Sequence, residues 1–157
     1  MDPDVVQSLL KQIEEKDGST GAHTWRVVLY TRLMVEKLGL GDEAMRRATH
    51  AAAMHDLGKL DIPVEILRKP GKLTDAEFEI IKTHPVRGYE RLIALGVEDQ
   101  ATLDIARFHH ERVDGLGYPD GLKGDAVPRS ARYFAVIDTF DALTSIRPYR
   151  QAVSYTH

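Results

Sequence analysis

Seven histidines punctuate this chain, at positions 23, 50, 55, 84, 109, 110 and 157, and five of them stand in distinctive company. His23 closes "TGAH", His55 opens the "HD" of "MHDLGK", His84 sits in "THPVRG", and His109 and His110 are adjacent in "FHHE". Two carboxylates join them: Asp56, directly after His55, and Asp138 in "VIDTFDALT". Imidazole nitrogens and carboxylate oxygens are the donors that divalent Mn, Fe and Zn accept. A His–Asp pair at consecutive helical positions diverges by ~100°, so one metal could take His55 while Asp56 reaches a second. The same geometry predicts that His109 and His110 diverge, each serving one flank of a shared centre. Two ions ~3.5–4 Å apart suit phosphoester hydrolysis, because both sharpen an attacking hydroxide and absorb charge on the phosphoryl oxygens.

A single histidine on a helix is more often a core or surface residue than a ligand, and His50 and His157 are assigned that ordinary role. What separates the other five is the joint occurrence of "HDLGK", "HHERVDGLGYP" and "DTFDALTSIRPYR", in order and at helix-sized separations.

The elements that must position these residues are helices. Val5, Val6, Leu9, Leu10 and Ile13 recur at helical spacing and predict a first helix over about 4–16. After a "DGSTGAH" turn, Val27, Val28, Thr31, Met34, Val35 and Leu38 predict a second, stopping at Gly39. Asp42 is a candidate cap for a third, whose alanine-rich "RRATHAAAMHD" suits close packing. Gly58 and Pro63 break that pattern, "KPGKLT" is a turn, and Thr74 with Glu77 forms a capping box. Pro85 predicts a kink or restart just after His84. A helix over about 99–111 leads into a glycine loop, and a last one covers about 129–143, with Phe134, Val136, Ile137, Phe140 and Leu143 as expected core. Strict alternation is nowhere sustained, so the fold class is all-α, a helical bundle. Ser154 and Thr156 resemble helix-start residues, an expectation that the final helices of the bundle are missing.

Composition narrows the function. The chain has 157 residues, 43% hydrophobic and 29% charged, which is long enough for one domain with a real core and argues against disorder. The net charge of -3 creates no field that would draw in nucleic acid, so a polyanionic ligand must be held by local positive charge or by metal. There is no cysteine, which excludes disulfides, thiolate sites and thiol nucleophiles and fits a cytoplasmic protein. No apolar run approaches the ~18 residues of a membrane span.

The three motifs together resemble the HD-GYP subgroup of the HD phosphohydrolase superfamily, which degrades the bacterial second messenger cyclic di-GMP. The likeness runs over about residues 15–152 of a single domain, 1–157, and implies a bundle of the HD-domain type. It implies the superfamily ligands at His23, His55, Asp56 and Asp138, with Asp56 bridging two metals, and the subgroup's further ligands at His84, His109 and His110. Lys59 resembles a lysine that contacts the substrate phosphate. Asp17 matches an aspartate that could protonate the leaving ribose oxygen. Arg147 and Arg150 of "RPYR" resemble positions that hold the dinucleotide, guanidinium forks being suited to phosphate or a guanine edge. Some members bind a third metal through a glutamate four residues before the first histidine ligand; here that position is Ser19, so two metals are expected, iron or manganese.

Between 114 and 124 lie Gly115, Gly117, Gly121 and Gly124, a third of the 12 glycines. Glycine permits close backbone approach and Pro119 stiffens the stretch, so the loop should have a fixed shape. Gly117 and Tyr118 are expected to border the substrate, and the resemblance adds possible docking of a GGDEF-domain partner there; Glu111 is a candidate to orient one of the paired histidines. The resemblance implies metal-dependent hydrolysis of cyclic di-GMP to pGpG, and then more slowly to GMP. The alternatives are another cyclic dinucleotide such as cyclic GMP-AMP, or a module that binds and docks with little turnover. A homodimer is a further expectation.

Overall fold

The computed structural model describes residues 3–145. Among them it is helical, with no strand and one isolated antiparallel bridge between Asp114 and Lys123. The order is α1 (Pro3–Lys16), α2 (Gly18–Lys37), α3 (Gly41–Met54), a 3-10 helix (Leu57–Asp61), α4 (Val64–Leu67), α5 (Asp75–Ile81), α6 (His84–Ala94), α7 (Gln100–Phe108), a 3-10 turn (Gly124–Ala126) and α8 (Arg129–Thr144).

Several elements begin or end where sequence alone misplaced them. "GSTGAH" is not a turn but the opening of α2: Asp17 caps it, accepting from the Ser19 N–H at 3.1 Å. Gly21 lets α2 lie against α1, since a Cβ there would come within 2.9 Å of Glu14 Cβ. Asp42 lies inside the first turn of α3, where its charge favours the helix N-terminus, and Leu40 at the cap position makes no side-chain bond. The capping box at Thr74 and Glu77 is present in both directions. Of the kink or restart expected at Pro85, the restart is found: α5 ends at Ile81, and His84 and Pro85 open α6. Helix α7 stops at Phe108, leaving His109 and His110 beyond its end.

Helix α3 is the centre of the bundle, packed against α2 and α7. Its small residues feed two cores. Ala51 and Ala52 meet Val27, Ile105, Phe134 and Ile137, whereas Ala53 and Met54 meet Leu9, Leu10, Ile13, Leu92 and Leu103. Each fully buried Leu, Ile, Phe or Met among them contributes about 1.5–3 kcal/mol over leaving it exposed. Helix α8 corrects the expected core. Phe134 and Ile137 are buried, but Val136 is 63% exposed, and Phe140 and Leu143 are also exposed. The inward face is instead Ala131, Phe134, Ile137 and the completely buried Asp141.

One backbone contact sets the geometry of the site. A Cβ on Gly58 would fall 1.9 Å from the His84 carbonyl oxygen and 2.5 Å from the Gly88 nitrogen. Only glycine lets the 3-10 helix rest directly on α6, and that contact carries Asp56 to His84. Gly58→Ala is expected to cost about 2–3 kcal/mol through this clash, read as a lower urea midpoint. Gly18→Ala, at a glycine with open space around it, should stay within about 0.5 kcal/mol of the parent.

Candidate metal centre

The site gathers side chains from five places: His23 on α2, His55 and Asp56 at the end of α3, His84 at the start of α6, His109 and His110 after α7, and Asp138 on α8. All except His110 and Asp138 are buried to 7% exposure or less. Two groups have ligand atoms within 4.8 Å of one another: His23, His55 and Asp56, and Asp56, His84, His109 and His110. Asp56 belongs to both. Its Oδ2 lies 3.2 Å from His55 Nε2, while its Oδ1 lies 3.2 Å from His84 Nε2 and 3.8 Å from His109 Nε2. Each carboxylate oxygen therefore faces a different set of imidazoles. Asp138 joins the first set, with Oδ1 3.0 Å from His23 Nε2.

The local backbone differs from the continuous helix that sequence spacing assumes. His55 ends α3 with helical φ/ψ, and Asp56 leaves it at φ -99°, ψ 12°. The divergence of the pair comes from this break in the helix. His109 and His110 do not serve opposite flanks: their rings lie 4.2 Å apart and both belong to the group with His84. Because α7 has ended, the second histidine turns back beside the first.

Hydrogen bonding fixes which nitrogen of each ring faces inward. Nδ1 of His55, His84 and His109 lies 2.7, 2.7 and 2.8 Å from the carbonyls of Ala52, Ile81 and Ile105. A carbonyl only accepts, so Nδ1 carries the hydrogen in each and Nε2 points to the centre. His23 has the same polarity with a different partner, Nδ1 lying 2.7 Å from Asp141 Oδ2. His84 and His109 bring their Nε2 atoms to 3.3 Å. With the hydrogen on Nδ1 in both rings, the Nε2 atoms face each other across a space that a cation can fill.

Charge follows the same logic. Burial disfavours protonation of His109, the neighbouring His110, His55 and His84 add repulsion, and its basicity falls well below the usual histidine range. Burial, then His84, pushes His110 down to about 3, so both rings are neutral donors at physiological pH. Burial opposes ionisation of Asp56, but the charges of His55 and Lys59 outweigh it and hold the carboxyl well below its ordinary value. Asp138 is likewise lowered, burial being overcome by the hydrogen bond to His23 and by the charges of His55 and His109. For His55, burial is outweighed by Asp56, and its basicity rises; a proton and a metal compete there for one lone pair. Buried His55 Nε2 and Asp56 Oδ1 have no hydrogen-bond partner. Such orphaned acceptors are costly in a buried site unless a cation occupies the space between them. The residues fit a metal.

Lys59 belongs to the site, its ammonium 2.7 Å from Asp56 Oδ2. A cavity of about 330 Å³ opens beside the centre, lined by His109, His110, Gly117, Tyr118, Asp138 and Thr139. The Tyr118 ring stacks on His110, centroids 4.7 Å apart at 21°. Gly117 is there for room: a Cβ would come within 2.6 Å of the backbone of His110, Glu111 and Arg112. Asp17 accepts from the hydroxyls of Ser19 and Thr20 as well as from the Ser19 N–H, the work of a cap. Arg147 and Arg150 lie outside the described residues, as does His157. His50 is a half-buried residue of α3, away from the ligand groups.

Two functional residues were missed or misassigned. Asp141 behind His23 was missed, although its i, i+3 spacing from Asp138 puts both on one face of α8. Glu111 does not orient a histidine. Its buried carboxylate accepts the backbone N–H groups of Asp120 and Gly121 on Oε1 and of Leu122 on Oε2, at 2.7, 3.0 and 2.9 Å. It is the anchor of the glycine loop.

Among the described residues, an all-α bundle closes a His/Asp cluster around one shared aspartate. The chain belongs to the HD domain family, whose model matches residues 7–157. It is 47% identical over 152 residues to the cyclic di-GMP phosphodiesterase response regulator RpfG of Xanthomonas campestris, covering 95% of this chain and 40% of that protein. A cyclic di-GMP phosphodiesterase of Thermotoga maritima is 41% identical over 154 residues, 94% of this chain and 40% of its own. The 3'3'-cGAMP-specific phosphodiesterase 2 of Vibrio cholerae is 38% identical over 154 residues, 94% of this chain and 28% of its own. The chain thus spans well under half the length of these curated relatives. No helix among the described residues is long and apolar enough to cross a membrane.

Glu111→Gln keeps the shape but leaves one oxygen for three backbone donors. The amides of Asp120, Gly121 and Leu122 should lose hydrogen-exchange protection, and stability should fall by about 1–3 kcal/mol. The metal-binding groups should be retained.

Proposed function

We propose that this domain is a metal-dependent phosphodiesterase that hydrolyses cyclic di-GMP to the linear dinucleotide pGpG. The observation that carries it is Asp56, whose two oxygens face two separate sets of imidazoles. That is the layout for two divalent cations, iron or manganese, held by His23, His55 and Asp138 on one side and His84, His109 and His110 on the other. Bound there, such ions supply positive charge to the phosphoryl oxygens and an acidified water. One water is consumed: its oxygen bonds to phosphorus, the P–O3′ bond breaks, and the 3′ oxygen leaves with a proton to give a 5′-phosphate and a 3′-hydroxyl.

The chain's own residues do the rest. Lys59 stands beside Asp56 and can offset charge on a phosphoryl oxygen as it builds. Phe134 packs against the His55 ring at 4.9 Å and walls the centre on its apolar side. Tyr118, held flat against His110, offers an aromatic face at the cavity mouth on which a purine can rest. Asp17 is occupied as a cap, and we assign it no proton transfer. Arg147 and Arg150 remain the proposed grip on the dinucleotide. Val113 and Leu116 are exposed on the loop, Leu116 at the rim of the cavity, and this is where we place a GGDEF-domain partner. The likeness to cGAMP-specific relatives makes cyclic GMP-AMP the second substrate to test.

The test is to load the protein anaerobically with iron or manganese, count metal per chain, and assay both dinucleotides. Two metals per chain and pGpG as product support the proposal. Tight cyclic di-GMP binding without product would sink it in favour of a sensor, and preferential cleavage of cyclic GMP-AMP would change the substrate. Asp56→Ala is expected to lose both ions and at least about 10³-fold in turnover; a variant that kept metal and rate would overturn the bridging role.

A further inference from the structure

Three of the inward-facing histidines are fixed by main-chain carbonyls of their own local turn, at Ala52, Ile81 and Ile105. His23 alone is fixed by a side chain, and by one 118 residues away: its Nδ1 meets Asp141 Oδ2 at 2.7 Å. Asp141 is completely buried and fully engaged. Arg26 grips it as a fork, Nε to Oδ1 at 2.6 Å and Nη2 to Oδ2 at 3.0 Å, and the Ser145 hydroxyl donates to Oδ1 at 3.0 Å. Arg26 is one turn after His23 on α2, so this single carboxylate clasps two neighbouring positions of α2 to α8. His23 Nε2, on the far side of the ring, lies 3.0 Å from Asp138 Oδ1.

That arrangement sets His23 between two carboxylates, one at each ring nitrogen. With its hydrogen on Nδ1 it donates to Asp141 and offers a bare Nε2 to a metal. With its hydrogen on Nε2 it would donate to Asp138 and could bind nothing there. We infer that Asp141, locked in plane by Arg26, is the positioning residue that selects the metal-binding tautomer of His23, and so governs occupancy of the carboxylate-bearing half of the centre. The inference rests on the proposal that the centre holds divalent cations, but not on its substrate. An outer carboxylate behind a histidine ligand is an established way to orient the ring and raise its donor strength.

Asparagine at 141 exposes the logic. An amide has one acceptor oxygen, and both Arg26 and His23 Nδ1–H require an acceptor. Arg26 can only donate and is charged, so it should claim the oxygen and turn the amide NH₂ toward His23, driving the imidazole hydrogen to Nε2. In Asp141→Asn combined with Arg26→Met the oxygen is free again, and the Nδ1–H form should return. A residue that merely filled space would show neither the switch nor its reversal.

The measurement is the tautomer of His23 in the metal-free protein, read from long-range ¹H–¹⁵N correlations of the imidazole, followed by stepwise manganese binding against a chelator. The wild type should show Nδ1–H at His23. Asp141→Asn should show Nε2–H and weaken one of two binding steps by about 10–100-fold while leaving the other within about threefold. A wild type with Nε2–H at His23 overturns the inference with no variant needed, so it stays testable if Asp141→Asn does not fold. A folded Asp141→Asn with the parental tautomer and parental affinities overturns it too. No dinucleotide enters these measurements: a protein that binds manganese as expected but leaves cyclic di-GMP intact removes the proposed activity and leaves Asp141's role standing.

Discussion

Everything in this domain is arranged around one buried carboxylate. Asp56 is almost fully removed from water, which by itself would favour its neutral form, yet His55 and Lys59 hold it ionised. A buried negative charge must be matched, and its two oxygens turn to two different groups of nitrogen donors. The bundle can be read as the scaffold this one charge demands. Helix α3 delivers it, α6 and the end of α7 bring imidazoles to one oxygen, and α2 and α8 bring His23 and Asp138 to the other side.

Bringing five chain segments to one point requires backbones to touch, and the glycines show where. Gly58 and Gly88 let the 3-10 helix rest on α6, Gly21 lets α2 close on α1, and Gly117 lets the loop fold over the backbone of residues 110–112. These are contacts of main chain on main chain or on the stem of a side chain, where no larger residue fits. Rigidity comes from the same economy. The imidazoles of His55, His84 and His109 are tied by Nδ1 to carbonyls of the turn just before them, so each of the three is oriented before any ion arrives. The loop, though rich in glycine, is pinned by three amides on Glu111. It is shaped by a buried charge at its base.

The candidate ligands were legible in the sequence by residue type, and five histidines with two aspartates do converge. Helix existence was legible too, from apolar periodicity and from the Thr74–Glu77 capping box. What failed were inferences that needed to know where a helix stops. His55 with Asp56, and His109 with His110, read as consecutive helical positions, but both pairs straddle or follow a helix end, and the paired histidines share one side. Periodicity also rotated α8: Val136, Phe140 and Leu143 look like core, but the inward face carries Asp141, whose burial is made possible by Arg26 on another helix. Glu111 was opaque for a similar reason. Its partners are backbone amides nine to eleven residues on, and a backbone amide has no signature in sequence.

The two halves of the centre differ in kind. Around His84, His109 and His110 the donors are imidazoles, and apart from the shared Asp56 that half has no carboxylate. Around His23 and His55 stands a further carboxylate, Asp138, while Asp141 is cancelled by Arg26 one shell out. With two divalent ions in place, four positive charges would face only Asp56 and Asp138, and Lys59 would add a fifth. A chain whose overall charge is -3 would then present a strongly positive floor beneath a small cavity. Attraction for a dianionic dinucleotide would be local, confined to the one place where neutral histidines outnumber carboxylates as ligands. Replacing more of those histidines with aspartates would still bind metal, but it would neutralise the floor on which the proposed phosphodiester would sit.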